Sequence, residues 1–111
     1  MLNSYLRKLS MVDYRGGRCE RCGFSSCIAA LVFHHRNPAA KKFAIAVAIF
    51  GSDPRPSNNP AGVKLRDLWT KDGKMTALLR RELRKCDLLC ARCHAEIEDA
   101  WRWADYVMKK G

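Results

Sequence analysis

The side chains of this chain best suited to chemistry are its histidines and cysteines, and they fall together. Cys19-Glu20-Arg21-Cys22 is followed by Phe33-His34-His35-Arg36-Asn37-Pro38, and Cys90-Ala91-Arg92-Cys93 runs directly into His94. All three histidines of the chain sit within or beside these motifs. Two Cys-x-x-Cys pairs supply four thiolates, a full set for one tetrahedral zinc ion. With Cys19, Cys22, Cys90 and Cys93 all engaged, that ion has no open position for substrate and is structural. It would pin distant segments together and contribute several kcal/mol or more to folding. Cys27 and Cys86 are left over. They read as small buried hydrophobes, with replacement of a neighbouring knuckle ligand as the alternative.

The histidines point to a second site with different chemistry. His94 and Glu98 are four residues apart, so on a helix they project from one face. Imidazole nitrogen and carboxylate oxygen both ligate divalent ions. His34 supplies a third ligand from a strand end, which leaves His35 beside the ion. An imidazole that titrates near neutrality suits a general base that activates water.

Those residues need elements to hold them. Leu2, Leu6, Leu9 and Val12 recur at helical spacing, so residues 2–14 are expected as an amphipathic helix ended by Gly16-Gly17. Gly23 suits a tight turn in which backbone amides face thiolate sulfur. Ala30-Leu31-Val32-Phe33 reads as a short strand leading to the histidine pair. Phe43 to Phe50 is apolar throughout and fits a buried strand or a helical segment equally well. Gly51 to Gly62 is a loop, and a short helix is expected around Val63–Trp69. After Asp72-Gly73, Met75, Leu78, Leu79 and Leu83 share a helical face, with Arg80, Arg81, Arg84 and Lys85 around them. Asp87-Leu88-Leu89 is a brief strand. From Ala91 to about Met108 a last helix aligns Ile97, Trp101, Ala104 and Met108 in one stripe. Trp69, Trp101 and Trp103 are expected in the core rather than stacked on bases.

The chain has 111 residues, 21 Lys+Arg against 11 Asp+Glu, and a formal net charge of +10. Four thiolates around a dication would lower that charge by about two. The remaining excess implies a polyanionic partner, most simply nucleic acid. The start Met1-Leu2-Asn3-Ser4-Tyr5-Leu6-Arg7-Lys8 does not read as a secretion signal, and no apolar run approaches a membrane span. A reducing, cytoplasmic setting follows, with zinc rather than disulfides as the use of the cysteines. A domain this small profits from such a metal staple.

At these motifs the chain resembles the HNH endonuclease family in its zinc-bound form. The resemblance rests on Tyr14-Arg15-Gly16-Gly17-Arg18-Cys19-Glu20-Arg21-Cys22-Gly23, on Ala29-Ala30-Leu31-Val32-Phe33-His34-His35-Arg36-Asn37-Pro38, and on Lys85-Cys86-Asp87-Leu88-Leu89-Cys90-Ala91-Arg92-Cys93-His94, in that order. It implies an α+β fold: a small zinc-stapled ββα-metal core with flanking helices, docked on DNA near the minor groove. One HNH nuclease domain then spans residues 1–111. Residues 1–18 carry the N-terminal helix, 19–42 the first knuckle and the histidine-bearing strand, 43–85 an insertion with loop 51–62 and the basic helix, and 86–111 the second knuckle and the metal-site helix. Small free-standing members of the family are common in phages and prophages, which adds other phage DNA-processing proteins to the expected partners.

By the same resemblance His34 matches a ligand of the catalytic ion, His35 the general base, and His94 the ligand that opens the helix. The family often has a second histidine where this chain has Glu98, a carboxylate suited to magnesium or manganese, with nickel the other ion considered. The family's middle asparagine has no counterpart, Lys85 or Cys86 falling near its place, so a backbone carbonyl is expected to orient His35. The expected activity is metal-dependent hydrolysis of DNA phosphodiesters, with Arg36, Arg80, Arg81, Arg84 and Arg92 holding the backbone. The alternative is a basic zinc-containing module that binds nucleic acid, or assists a phage packaging motor, with little or no cleavage.

Overall fold

Helix α1 runs from Ser4 to Tyr14, and its entry is fixed by Asn3, whose Oδ1 accepts from the Leu6 amide at 2.9 Å. The computed structural model describes residues 3–53, 55 and 58–110, with side chains up to residue 108. Leu2 of the expected first helix and Pro54 and Pro56 of the expected loop lie outside the described residues. The buried side chains of α1 are Met11 and Val12, whereas Leu6 and Leu9 of the anticipated stripe are exposed. The reason is placement: α1 meets its neighbours chiefly through α2 and the turn before β1, so its N-terminal half has little to cover it. Arg7 strengthens that contact by donating from Nε to the Ile49 carbonyl at 2.8 Å.

Strand β1 (Leu31–His35) and strand β2 (Cys86–Cys90) form one antiparallel pair, with Leu31 opposite Cys90 and His35 opposite Cys86. Both are longer than the sequence reading, β1 running through the histidine pair and β2 taking in Cys86 and Cys90. Each strand supplies the other's backbone partners, so the ladder extends as far as both chains stay extended.

The apolar run resolves as a helix. Helix α2 (Ile45–Phe50) buries Ile45, Val47, Ala48 and Ile49, which a two-residue period could not do on one face. It ends at Gly51, whose φ of 89° is a left-handed conformation. That φ is what calls for glycine, and a Cβ there would also make a tight contact, 3.2 Å, with the Leu65 side chain. Helix α3 (Leu65–Leu68) is a single turn, and helix α4 (Ala77–Arg84) is shorter than its apolar periodicity promised. Met75 precedes α4 and bridges to Trp69 instead. Helix α5 (Ala91–Lys110) starts directly after β2.

Two apolar clusters flank the strand pair. One joins Met11, Phe43, Val47, Leu68, Trp69, Leu79, Leu83 and Cys86; the other joins Val12, Leu31, Leu88 and Leu89 to Cys19, Cys90 and Cys93. Phe33 packs against both. The result is an α+β domain in which a two-stranded sheet links a helical core to a cysteine-lined one. Trp69 is a core residue, its Nε1 donating to the Ala48 carbonyl at 2.8 Å. Trp101 and Trp103 are not: they are 48% and 65% exposed, and Met108 of the same expected stripe is also exposed. A 20-residue helix is about 30 Å long, and α5 packs on the strands through about its first half, where Ile97 meets the second cluster and Trp101 lies against His34. No described helix is long and apolar enough to cross a membrane.

Candidate functional site

The cysteines assemble as their spacing requires. The Sγ atoms of Cys19, Cys22, Cys90 and Cys93 all lie within 4.8 Å of one another, and Cys22 and Cys90 are 3.7 Å apart, sulfur to sulfur. Tetrahedral zinc with bonds of about 2.3 Å sets its sulfurs about 3.8 Å apart, whereas a disulfide would need about 2.0 Å. Backbone amides face two of the sulfurs: Cys22 N–H donates to Cys19 Sγ and Cys93 N–H to Cys90 Sγ, each at 3.4 Å. Burial pushes the Cys19 thiol up, but hydrogen bonds from the Cys90, Cys22 and Arg21 backbone outweigh it and bring it down to about 6. Burial and the neighbouring sulfurs push Cys93 up to about 12. Four thiols this close cannot all ionise alone, and a dication is what lets them. The cluster can hold a zinc ion, and three of its four residues are buried.

The surroundings fix the knuckle in place. Glu20 pairs with β2 from both ends, its amide donating to the Leu88 carbonyl at 2.8 Å and its carboxylate accepting from the Leu88 amide. The leftover cysteines part company. Cys86 is fully buried and its thiol is pushed up to about 12 by burial, then by the Glu82 charge. Cys27 is exposed, against the expectation that both would be buried. It lies on the surface segment ahead of the first 3-10 turn rather than in either apolar cluster.

A second set of donors meets where β1 faces α5. One ligand atom each from His34, His94 and Glu98 lies within 4.8 Å of the others. His94 Nε2 is 3.4 Å from Glu98 Oε1, and the His34 and His94 ring centroids are 5.2 Å apart. Helical spacing aligns His94 with Glu98, and the register of β1 brings His34 over them. The Trp101 ring lies 5.0 Å from the His34 ring and covers one side of the group. His34 is buried, whereas His94 and Glu98 are partly open to solvent. Three mixed nitrogen and oxygen donors with solvent access could hold a divalent ion, and their number would leave further positions for water. Glu98→Ala removes one of these donors and is expected to weaken divalent-ion binding at least roughly 10-fold. Calorimetric titration of the zinc-loaded protein with manganese checks this; an unchanged isotherm removes Glu98 from the ligand set.

His35 goes elsewhere. Successive strand residues face opposite sides of a sheet, and while His34 meets α5, His35 meets α4. Its Nε2 lies 2.9 Å from Glu82 Oε2. The expected orienting group, a backbone carbonyl, is thus replaced by a carboxylate. Glu82 is 1% exposed and accepts further hydrogen bonds from the Lys42 amide at 3.0 Å and from Lys85 Nζ at 3.0 Å. Burial raises its pKa, but the donors, Lys85 foremost, hold it below the usual carboxylate value. Burial also lowers the pKa of His35 below the ordinary imidazole value, against the pull of Glu82. Lys85 Nζ additionally donates to the Ala40 carbonyl at 2.9 Å, tying α4 to the segment after β1. The sequence did carry a signal for Glu82: it stands three residues after Leu79 and four after Leu78, on the apolar side of α4.

The arginines expected on DNA are dispersed. Arg36 clasps the strand pair, donating to the Cys86 carbonyl at 3.1 Å, to Asp87 Oδ1 at 2.8 Å and to the Arg84 carbonyl. Arg80 donates to the Met75 carbonyl and Arg84 to Tyr14 Oη. Arg81 and Arg92 are exposed, Arg92 lying 3.6 Å from Glu96. His35 lines an open cleft of about 290 Å³ together with Lys8, Lys41, Asp53, Arg55 and Asn58. That basic lining came from residues the sequence did not single out.

No family model, no curated protein and no solved structure matches the chain.

Proposed function

We propose that this protein is a metal-dependent DNA endonuclease of the HNH type, in which one divalent ion is held by His34, His94 and Glu98 and His35 is the general base. The observation that carries the reading is the meeting of those three donors from β1 and α5 in a partly open group, separate from the closed cysteine cluster. The antiparallel pairing of β1 with β2 across the helices α2, α3 and α4, with α5 leaving β2 at the second knuckle, supports the same family assignment. The net charge of +10 supports a polyanionic substrate.

The work of the protein groups follows from their chemistry. A carboxylate accepts, so Glu82 favours the His35 tautomer with the proton on Nε2 and leaves Nδ1 basic. Nδ1 takes a proton from water as the hydroxide attacks phosphorus. The bond to the 3′ oxygen breaks, and that oxygen is protonated from solvent, which leaves 5′-phosphate and 3′-hydroxyl ends. A divalent ion at the three-donor site would neutralise charge on the phosphoryl oxygens and the leaving group. His34 and His35 are the last two residues of β1 and face opposite sides of it, so a phosphodiester would have to wrap the end of the strand to address both. Lys8, Lys41 and Arg55 attract its backbone into the cleft.

Supercoiled plasmid tests the proposal. Protein that keeps zinc but is stripped of other ions should nick it when magnesium, manganese or nickel is restored, and not otherwise. Salt-sensitive binding without cleavage of plasmid, linear or branched DNA would instead favour a nucleic-acid-binding or packaging-accessory role.

A further inference from the structure

We infer that Glu82 is the positioning residue of His35, holding the imidazole in the Nε2–H tautomer so that Nδ1 is the nitrogen free to accept a proton. The catalytic part of this inference rests on the nuclease reading above; the tautomer itself does not.

Three observations carry it. First, Glu82 stands on a core face, between Leu79 and Leu83, both fully buried. A hydrophobic side chain there would avoid the desolvation of a carboxylate, so a buried charge needs another reason to be present. Second, the carboxylate is preorganised. The Lys42 amide and His35 share Oε2, and Lys85 Nζ holds Oε1 while also reaching the Ala40 carbonyl. These contacts come from Lys85 just past α4, from His35 in β1 and from Lys42 in the segment after β1, so Glu82 is held from several sides before any substrate arrives. Third, His35 is the one histidine outside the three-donor group, and it lines the basic cleft. A group fixed at Nε2 and beside a substrate-accessible cleft can exchange its proton only through the other nitrogen. Carboxylates that orient a histidine tautomer act in this way elsewhere in enzyme chemistry, through the imidazole and without touching substrate.

The test pairs Glu82→Ala and Glu82→Gln in the zinc-loaded protein. Long-range nitrogen–proton NMR correlations report which ring nitrogen of His35 carries hydrogen. The wild type should show the Nε2–H form, Glu82→Ala a mixture, and Glu82→Gln, whose amide oxygen still accepts, the wild-type form in large part. On plasmid, Glu82→Ala should lower kcat roughly 10- to 100-fold, part of the factor a positioned base supplies. KM and manganese affinity should be unchanged, and Glu82→Gln should recover much of the rate. If Glu82→Ala does not fold, the tautomer and rate of Glu82→Gln still decide. An Nδ1–H wild type, or a tautomer indifferent to Glu82→Ala, overturns the inference. So does a rate loss that Glu82→Gln fails to restore while its tautomer is intact. A wild type that does not cleave overturns the nuclease reading instead, with the NMR result standing by itself.

Discussion

His35→Ala is expected to lower plasmid cleavage by roughly 10²- to 10⁴-fold, the usual contribution of a positioned general base, while zinc content, fold and manganese binding stay as they were. The separation is possible because His35 and the three-donor group occupy opposite sides of β1: His34 meets α5, and His35 meets Glu82 on α4. Removing the imidazole leaves Glu82 with the Lys42 amide and Lys85 as partners, so the buried carboxylate keeps two of its three donors. Some loss of melting temperature is therefore expected, but not unfolding. Initial rates under saturating manganese, with melting curves alongside, check the prediction. Normal turnover in a folded variant would remove His35 from the reaction. Lost turnover together with lost manganese binding would show that His35 acts on the ion site rather than on water.

The second large effect concerns stability. Stripping the cysteine cluster with a strong chelator is expected to melt the domain, or to lower its melting temperature by tens of degrees. Cys90→Ser should do the same in milder form, by roughly 10 °C or more. Structural zinc in small domains contributes about 10–16 kcal/mol of apparent binding energy, and in domains near this size 1 kcal/mol shifts the melting temperature by about 4 °C or more. The consequence is large here because Cys19, Cys90 and Cys93 are members of an apolar cluster with Val12, Leu31, Leu88 and Leu89. Without the ion that cluster would bring crowded thiols together with nothing to neutralise them. Reducing agent alone should leave the fold unchanged, since the cysteines are free. Metal analysis and calorimetry of wild type and Cys90→Ser decide the matter; equal melting temperatures would mean that the cluster holds no stabilising ion. The two experiments are independent, since chelator-resistant stability with metal-dependent nicking, or the reverse, separates architecture from chemistry.

Both groups of possible metal ligands were legible in the sequence because their geometry is local. Cys-x-x-Cys places two sulfurs within reach of one ion whatever surrounds them, and His94 and Glu98 share a helix face by periodicity alone. The pairing of the two knuckles needed only the strands between them, and the antiparallel ladder supplied it, Leu31 opposite Cys90. Helix α5 was similarly plain, from the run of helical residues that follows the second knuckle.

What depended on contacts between distant residues was not legible. Phe43 to Phe50 is apolar on every side, so neither period could be read from it. Only the packing against α1, α3 and α4 made it a helix, with Gly51 as its stop. The stripe on α5 was visible, but not that the helix outruns the strands, which leaves Trp103 exposed and Trp101 only half covered, against His34. Periodicity shows which face is apolar, not whether anything lies opposite it. Glu82 is the clearest case. In Leu78-Leu79-Arg80-Arg81-Glu82-Leu83-Arg84-Lys85 its place on the apolar side could be read, but the partner that gives it meaning lies 47 residues earlier. The sequence by itself determined which atoms could bind metal, because ligand type and spacing are written into adjacent residues. Tertiary structure alone decided that His35 faces a buried carboxylate and not a backbone carbonyl, because that choice belongs to the strand register and to the helix packed on that side of it.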